Sequence, residues 1–373
     1  MEGKIYYRDI YETILRDITK GVYPKNVLLP FERELCEKYD VSTTTIRRAL
    51  KLLEDDHYII KIKGKGSLVN PDIDLQSAND DINCLGVLFF GNRKEVIYDD
   101  YYHYANLWSA KIYNQIFLKL RDDYTVIFET MYEDEIIEKF ENHTTVLSNI
   151  QRLLLITYSN VDIKLLDYLK GLGKQLIIFN YFNHKYEICN VMCNEREIYY
   201  QTVLRLFKMK HRKIAIINAT VDRQYCDSIE RFMGYQEAFI TRGHLLNENL
   251  IKWTLSPRDA YFKMKDIFTL PREEWPTAVM CINDGIAIGV YEAIKEAGLK
   301  IPEDISVIGH DNDKIGGRLE PTLTSIDPMY EQVAEAIVAC FKRKLWNRND
   351  KVIVKGRIIV RNSLIENIKD KGN

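Results

Sequence analysis

From about residue 83 onward, short continuous apolar runs alternate with stretches of helical periodicity, and this limits the fold more than any other feature. CLGVLFF, YTVIFE, RLLLITY, KQLIIFN, HRKIAIIN, TAVMCIN and ISVIGHD are β-rich and lack the apolar–polar alternation of a half-exposed strand. Strands buried on both faces belong to parallel sheets covered by helices. Helical stretches lie between them near 107–121, 161–171, 195–209, 230–242, 259–268 and 285–297. So long an alternation exceeds one simple sheet and predicts two doubly wound lobes. Ligands in such folds sit at the carboxyl ends of the strands. The residues just after the runs are therefore candidate contacts: Gly91, Tyr158, Asn180, Asn183, Asn218, Asn283, Asp284 and Asp311. Asn, Asp and Arg among abundant aromatics suit hydrogen bonds to several hydroxyls, with a ring face stacked on Trp or Tyr. That is a sugar-like pocket. Taken one at a time, each Asn is equally well a turn residue or a helix cap.

The first 70 residues follow a different rule. Ile10, Ile14 and Ile18 mark one helix face, and Gly21 with Pro24 ends that helix. FERELCEKY forms a second helix after Pro30, and Asp40-Val41-Ser42 makes a tight turn. Ser42 is a good N-cap for a third helix, whose buried stripe is Ile46, Ala49, Leu50 and Leu53. Thr43, Thr44, Arg47 and Arg48 fall mostly on the opposite side. This is the spacing of a helix-turn-helix. YIIKIKGKGSLVN then reads as two short strands around a glycine turn, a wing. Residues 71–82, PDIDLQSANDDI, are a polar linker.

Charge follows the same division. The whole chain is nearly neutral, at a net −2, but residues 1–70 carry 13 Lys and Arg against 11 Asp and Glu. The body is therefore acidic and the head slightly basic. Lys61, Lys63 and Lys65 make the wing a local positive tip, which asks for a polyanionic partner. A recognition helix presents its N-terminal side chains to base edges, Arg offers two coplanar donors, and glycines at a wing tip admit the sugar-phosphate wall.

Other classes are disfavoured. No apolar run nears the ~18–20 residues of a membrane span, and the N-terminus lacks a signal-peptide core. The seven scattered cysteines suit a reduced cytosol. Cys189 and Cys193 lack further ligands for a structural zinc, so no metal is expected. Phosphate-loop, GxSxG and HExxH motifs are absent, so the chain reads as neither an enzyme nor a cofactor carrier.

LPFERELCEKYDVSTTTIRRALKLLEDDHYIIKIKGKGSLVN resembles the winged-helix domain of GntR-type transcription regulators. The resemblance covers about residues 5–70. It implies that Arg33, Thr44, Thr45 and Arg47 contact DNA and that Gly64 stands at the wing tip. With Ser42, Thr43, Arg48, Lys63 and Lys65 these are the candidate DNA-binding residues. Phe31 stands where a small Ser or Ala is usual, Thr43 replaces a common Arg, and His57 replaces a Gly. MKHRKIAIIN, SIERFMGYQEAF and the long stretch PTAVMCINDGIAIGVYEAIKEAGLKIPEDISVIGHDNDKIGGRLEPTLTSID resemble the LacI/GalR effector domain, of the periplasmic binding protein fold.

By these resemblances the fold is an α+β winged helix-turn-helix head at 1–70 and an α/β periplasmic-binding-protein-like type I body at 83–366. Lobe 1 would hold about 83–190 and 327–352, lobe 2 about 191–326 and 353–366, and 367–373 would be a tail. Arg231, Asn283 and Asp311 match effector-binding positions. Asn183 aligns loosely with one, and Trp253 is a candidate stacking ring. Cys193-Asn194 stands where the family usually has Asp-Asn.

The implied function is a cytoplasmic bacterial repressor of carbohydrate-utilisation genes, at the nucleoid when bound. It would be a homodimer on a roughly palindromic operator, controlled by a sugar held between the lobes. The alternatives are a nucleoside or other small polar effector, a sugar-binding protein without DNA function, or an aminotransferase-like body behind the same head. Arg47→Ala is expected to weaken operator binding by on the order of 1–3 kcal/mol, and a mobility-shift titration with unchanged affinity would show the recognition helix to be misassigned.

Overall fold

The computed structural model describes residues 7–19, 21–72, 84–91, 111–121, 124–157, 161–182, 186–219, 226–254, 256–345 and 348–367. In the head, α1 (Tyr7–Thr19), α2 (Glu32–Tyr39) and α3 (Thr43–Asp55) precede a two-stranded wing, β1 (Ile59–Ile62) and β2 (Gly66–Val69). Ile10, Ile14 and Ile18 of α1 pack with Leu35 of α2 and with Ile46, Ala49, Leu50 and Leu53 of α3 in one core. Asp40 adopts a left-handed conformation and stops α2. Two residues later the Ser42 hydroxyl accepts from the Thr45 N–H at 3.2 Å and starts α3. In the wing, Ile62 faces Gly66 across the antiparallel pair. Gly64 has φ +79° in the connecting loop, a conformation that glycine adopts without steric penalty. His57 also has positive φ, +64°. The turn after α3 therefore needs a left-handed residue, and His supplies it at a cost of about 1–2 kcal/mol relative to Gly.

The body strands are β3 (Cys84–Gly91), β4 (Thr125–Tyr132), β5 (Arg152–Thr157), β6 (Gln175–Phe179), β7 (Cys189–Cys193), β8 (Ile214–Asn218) and β9 (Ile251–Trp253). They continue with β10 (Ala278–Cys281), β11 (Ser306–His310), β12 (Thr324–Asp327), β13 (Lys351–Val354) and β14 (Arg357–Ile359). They form two six-stranded sheets, in the orders β13-β7-β6-β5-β3-β4 and β14-β12-β11-β10-β8-β9. Every pair in the first sheet is parallel. In the second, only β14 against β12 is antiparallel.

Apolar side chains from the strands and the covering helices build a core on each face of each sheet. In the first, residues of 111–120 and of Tyr330–Lys342 fill one side, and Glu133–Glu141 and Ile163–Gly171 the other. In the second, Pro257–Phe268 and Asp284–Glu296 cover one face, and Glu195–Lys208 and Cys226–Thr241 cover the other. Two of these helices, Glu133–Glu141 and Tyr330–Lys342, are missing from the helices expected above. Both nonetheless bury apolar residues at helical spacing: Ile136 and Phe140 in one, Val333, Ile337 and Phe341 in the other.

The chain crosses between the sheets after Cys193, after Asp327 and after Val354. The first and last crossings fall a few residues beyond the expected 190 and 352, because β7 is hydrogen-bonded on both edges, to β6 and β13. The crossings are tied together. The Asn194 Oδ1 accepts from the Gly356 N–H at 2.7 Å, the Asn194 N–H donates to the Val354 carbonyl at 3.2 Å, and the Cys193 thiol points at the Pro328 carbonyl at 3.9 Å.

Helices Pro257–Phe268 and Asp284–Glu296 approach so closely that a Cβ on Gly289 would lie 1.8 Å from the Pro257 carbonyl oxygen. Backbone cannot yield as a side-chain tip can. Gly289→Ala is expected to destabilise the body by about 1–3 kcal/mol, read as a lowered melting temperature in calorimetry; an unchanged transition would mean that the helix contact is not tight.

Candidate functional site

Two regions collect the expected functional residues. In the head, Thr43, Thr44, Arg47 and Arg48 are exposed on α3, and Lys63, Gly64 and Lys65 form the exposed wing tip. Arg33, on the first turn of α2, points to solvent with its side chain 91% exposed and an i,i+4 partner in Glu37. Such exposed pairs contribute little and release the cation readily. Arg47 of α3 pairs with Glu32 at the start of α2 at 2.8 Å, two helices that the shared apolar core places side by side. The Ser42 and Thr45 hydroxyls are 2.8 Å apart and serve the cap, so their first role is to start the helix.

The second region lies at the carboxyl ends of β8, β9, β10 and β11. Helix Cys226–Thr241 brings Arg231 under these ends, where its guanidinium is almost wholly engaged. Nε and Nη2 donate to the two carboxylate oxygens of Glu195 at 2.7 and 3.1 Å, and Nη1 donates to the Ile282 carbonyl at 3.0 Å. Asp227 adds a contact at 3.2 Å. Both Arg231 and Glu195 are buried. Burial pushes the Glu195 carboxyl up and the guanidinium pulls it back; the surrounding carboxylates keep Arg231 charged despite its burial. Arg231 is thus first the partner of a buried carboxylate, with one N–H of its five left for a ligand.

Polar atoms without partners surround this pair. Both ring nitrogens of His310, the Tyr199 hydroxyl and the Asn218 Oδ1 are buried and have no hydrogen-bond partner among the described residues. His310 Nε2 lies 3.7 Å from Glu195 and 3.8 Å from Asp311, and the His310 and Tyr199 rings are tilted at 5.8 Å. Desolvation, with Arg231 and Lys111 nearby, holds the imidazole well below its ordinary range, so it is neutral at pH 7. Unsatisfied buried polar groups are few in folded proteins, and a cluster of them marks a place where water or a ligand completes the bonding.

The other expected residues divide. Asp311, at φ +87°, accepts from the Tyr330 hydroxyl at 2.8 Å. Asn283 caps helix Asp284–Glu296, its Oδ1 accepting from the Ile286 N–H at 2.8 Å; that leaves its amide NH2 as the group able to reach a ligand. Trp253 ends β9 beside Asn218 and packs edge-on to Phe232 at 5.0 Å, so one ring edge is already used. Asp284 and Asn180 are structural. Asp284 accepts from the Ser325 hydroxyl and the Asp313 N–H, both at 2.7 Å, and Asn180 accepts from the Cys193 N–H at 3.0 Å. Asn183 and Tyr158 lie outside the described residues.

Glu195, Tyr199 and His310 are not among the residues that the sequence motifs single out. Glu195 follows Asn194 directly and His310 precedes Asp311, so adjacency was the available signal. Contacts also span the lobes: Lys111 pairs with Asp313, and Tyr330 reaches Asp311. Among the described residues no cluster of His, Cys, Asp or Glu is arranged to hold a metal ion. No described helix is long and apolar enough to cross a membrane.

Residues 6–69 match the gntR family of bacterial regulatory proteins, and residues 203–364 match a periplasmic binding protein-like domain. The chain is 25% identical to the arabinose metabolism transcriptional repressor of Geobacillus stearothermophilus, over 96% of this chain and 98% of that one. The fold is similar to that of the Escherichia coli transcriptional repressor ascG, with TM-score 0.60 and 21% identity over 76% of this chain and 99% of that one. It is also similar to the transcriptional regulator CelR in complex with cellobiose, with TM-score 0.59 and 18% identity over 87% and 92%.

Burial pushes the Asp284 carboxyl up to about 7, against the opposing pull of the Ser325 hydroxyl. An acid whose folded value is raised binds its proton more tightly folded than unfolded, so its contribution to stability falls as pH rises from about 4 to about 7. The stability of the wild type is expected to decline across that window relative to Asp284→Asn. Parallel denaturant titrations from pH 4 to 8 check this, and parallel pH profiles would disprove it.

Proposed function

We propose that the chain, whose head matches the gntR family of bacterial regulatory proteins and whose body matches a periplasmic binding protein-like domain, is a DNA-binding, sugar-responsive transcriptional repressor rather than an enzyme. In this reading the head, at about 1–70, binds operator DNA through α3, the first turn of α2 and the wing. The body, at about 83–366, binds its effector between two lobes. Paired bodies would hold two heads on a roughly palindromic operator in the bacterial cytoplasm.

The observation that carries the effector reading is the shelf of unpartnered buried polar atoms beside Arg231, Asn283 and Asp311. Imidazole, phenol, amide and one guanidinium N–H offer a mixture of donors and acceptors, which suits a polyhydroxylated molecule. Carboxylates also outnumber cations there among the described residues: Glu195, Asp227, Asp311 and Asp313 against Arg231 and Lys111. That balance favours an uncharged sugar over its phosphate ester.

The test is a thermal-shift screen of the full chain against pentoses, hexoses, deoxy sugars and their phosphates, followed by operator titrations with and without each hit. A ligand at a hundredfold excess over its Kd adds about 2.7 kcal/mol to the native state. A neutral sugar is expected to raise the melting temperature and shift operator affinity. Stabilisation by phosphates alone would refute the charge argument, and no change in operator affinity with any hit would refute the effector model.

A further inference from the structure

Phe31 occupies the N-cap of α2, a place where Ser, Thr, Asp or Asn would accept from a first-turn N–H. A phenyl ring accepts nothing there, and the cap is one-sided: the Phe31 N–H donates to the Glu34 carboxylate at 2.7 Å. The ring is also unburied, at 64% exposure. The position thus gives up a hydrogen bond and leaves a large apolar surface in water, two costs that local structure does not repay.

The surroundings say where the ring stands. The segment before it runs along the wing: Leu28 bridges to Leu68, and the Leu29 N–H donates to the Ser67 carbonyl at 2.8 Å. A Cβ on Gly66 would lie 3.9 Å from the Phe31 ring. On the other side, Glu32 holds Arg47 of α3. The ring therefore stands between the wing and the recognition helix, with Arg33, Arg47 and Lys65 around it. Beside it opens a depression of ≈ 500 Å³ lined by apolar residues from Leu28 to Phe31 and by Lys38 and Lys65 against a single acid, Glu34, whose carboxylate is held by the Phe31 N–H.

We infer that Phe31 is an apolar contact to the operator duplex, its ring packing on sugar and base edges between the groove entered by α3 and the groove touched by the wing. Charge complementarity identifies the occupant. The cations around the ring draw phosphates to this surface, and a duplex held there presents deoxyribose C–H groups and thymine methyls that an exposed phenyl ring can cover. The inference rests on the reading of the head as DNA-binding and adds an apolar determinant to its polar ones.

A duplex is first selected from a random pool with the full-length wild type. Affinity across a salt series and melting temperature are then measured for wild type, Phe31→Ser and Phe31→Leu. Phe31→Ser is expected to bind roughly tenfold more weakly, a loss of one apolar anchor. The salt slope should be unchanged, because no phosphate contact is lost. Its melting temperature should be equal or higher, because Ser restores the cap, and Phe31→Leu should recover most of the affinity. Equal affinity of wild type and Phe31→Ser overturns the inference and leaves the DNA-binding reading intact. So does a loss shared by both variants together with a lowered melting temperature, which would make Phe31 a packing residue. Failure of the wild type to select any duplex instead overturns the DNA-binding reading itself.

Discussion

The buried contact between Arg231 and Glu195 organises the second lobe. Arg231 comes from helix Cys226–Thr241, Glu195 opens helix Glu195–Lys208, and the Ile282 carbonyl that Arg231 also engages follows β10. One guanidinium thus sets the positions of two helices and a strand end. A buried ion pair is weak evidence for stability, since desolvation offsets much of the attraction. Losing one partner is another matter, because the survivor is left charged in a dry site, at a cost of about 3–5 kcal/mol. The pair therefore acts as a geometric constraint whose removal is severe. It also sits one residue beyond Asn194, the side chain that ties the first crossing to the last.

Legibility in the sequence followed the length scale of the signal. Runs such as CLGVLFF and ISVIGHD announce buried parallel strands because every residue in them must tolerate burial, and β3 and β11 lie where those runs lie. The helix-turn-helix was legible because its cap, turn and apolar stripe are local. Three-residue β9 was not, since a strand that short has no period to detect. The site was half legible. Arg231, Asn283 and Asp311 follow from motifs, but the motif says nothing of Glu195, which takes two N–H groups of Arg231 from 36 residues away. Nor does sequence disclose that Asn283 spends its carbonyl on a cap, or that Trp253 leans on Phe232. Those are facts of packing, and they decide which atoms remain for a ligand.

Charge shows how an average misleads. A net of −2 would discourage a nucleic-acid partner if it were spread evenly. In the structure Arg47, Arg48 and Lys51 of α3 and Lys61, Lys63 and Lys65 of the wing are exposed, while Glu195, Asp227 and Asp311 surround Arg231 in the body. The second accumulation matters as much as the first. Desolvation pushes Glu195 and Asp311 upward there, and the Arg231 guanidinium between them pulls both back toward the charged form.

The proposed regulation needs an energy of the right size, and the contacts between the lobes supply it. Tyr330 donates to Asp311, and Lys111 pairs with Asp313. A hydrogen bond to a charged group contributes about 1.5–3 kcal/mol, and allosteric couplings are typically 1–3 kcal/mol. In the proposed reading, a ligand hydroxyl that displaced the Tyr330 hydroxyl from Asp311 would remove one such bond from between the lobes. The ligand acts only through its differential affinity for the two arrangements, and Asp311 is placed to provide that difference because it answers both to the facing lobe and to the cleft. The head can register the outcome at the start of β3, where Cys84 packs partly against the core of the winged helix and partly against that of the first lobe.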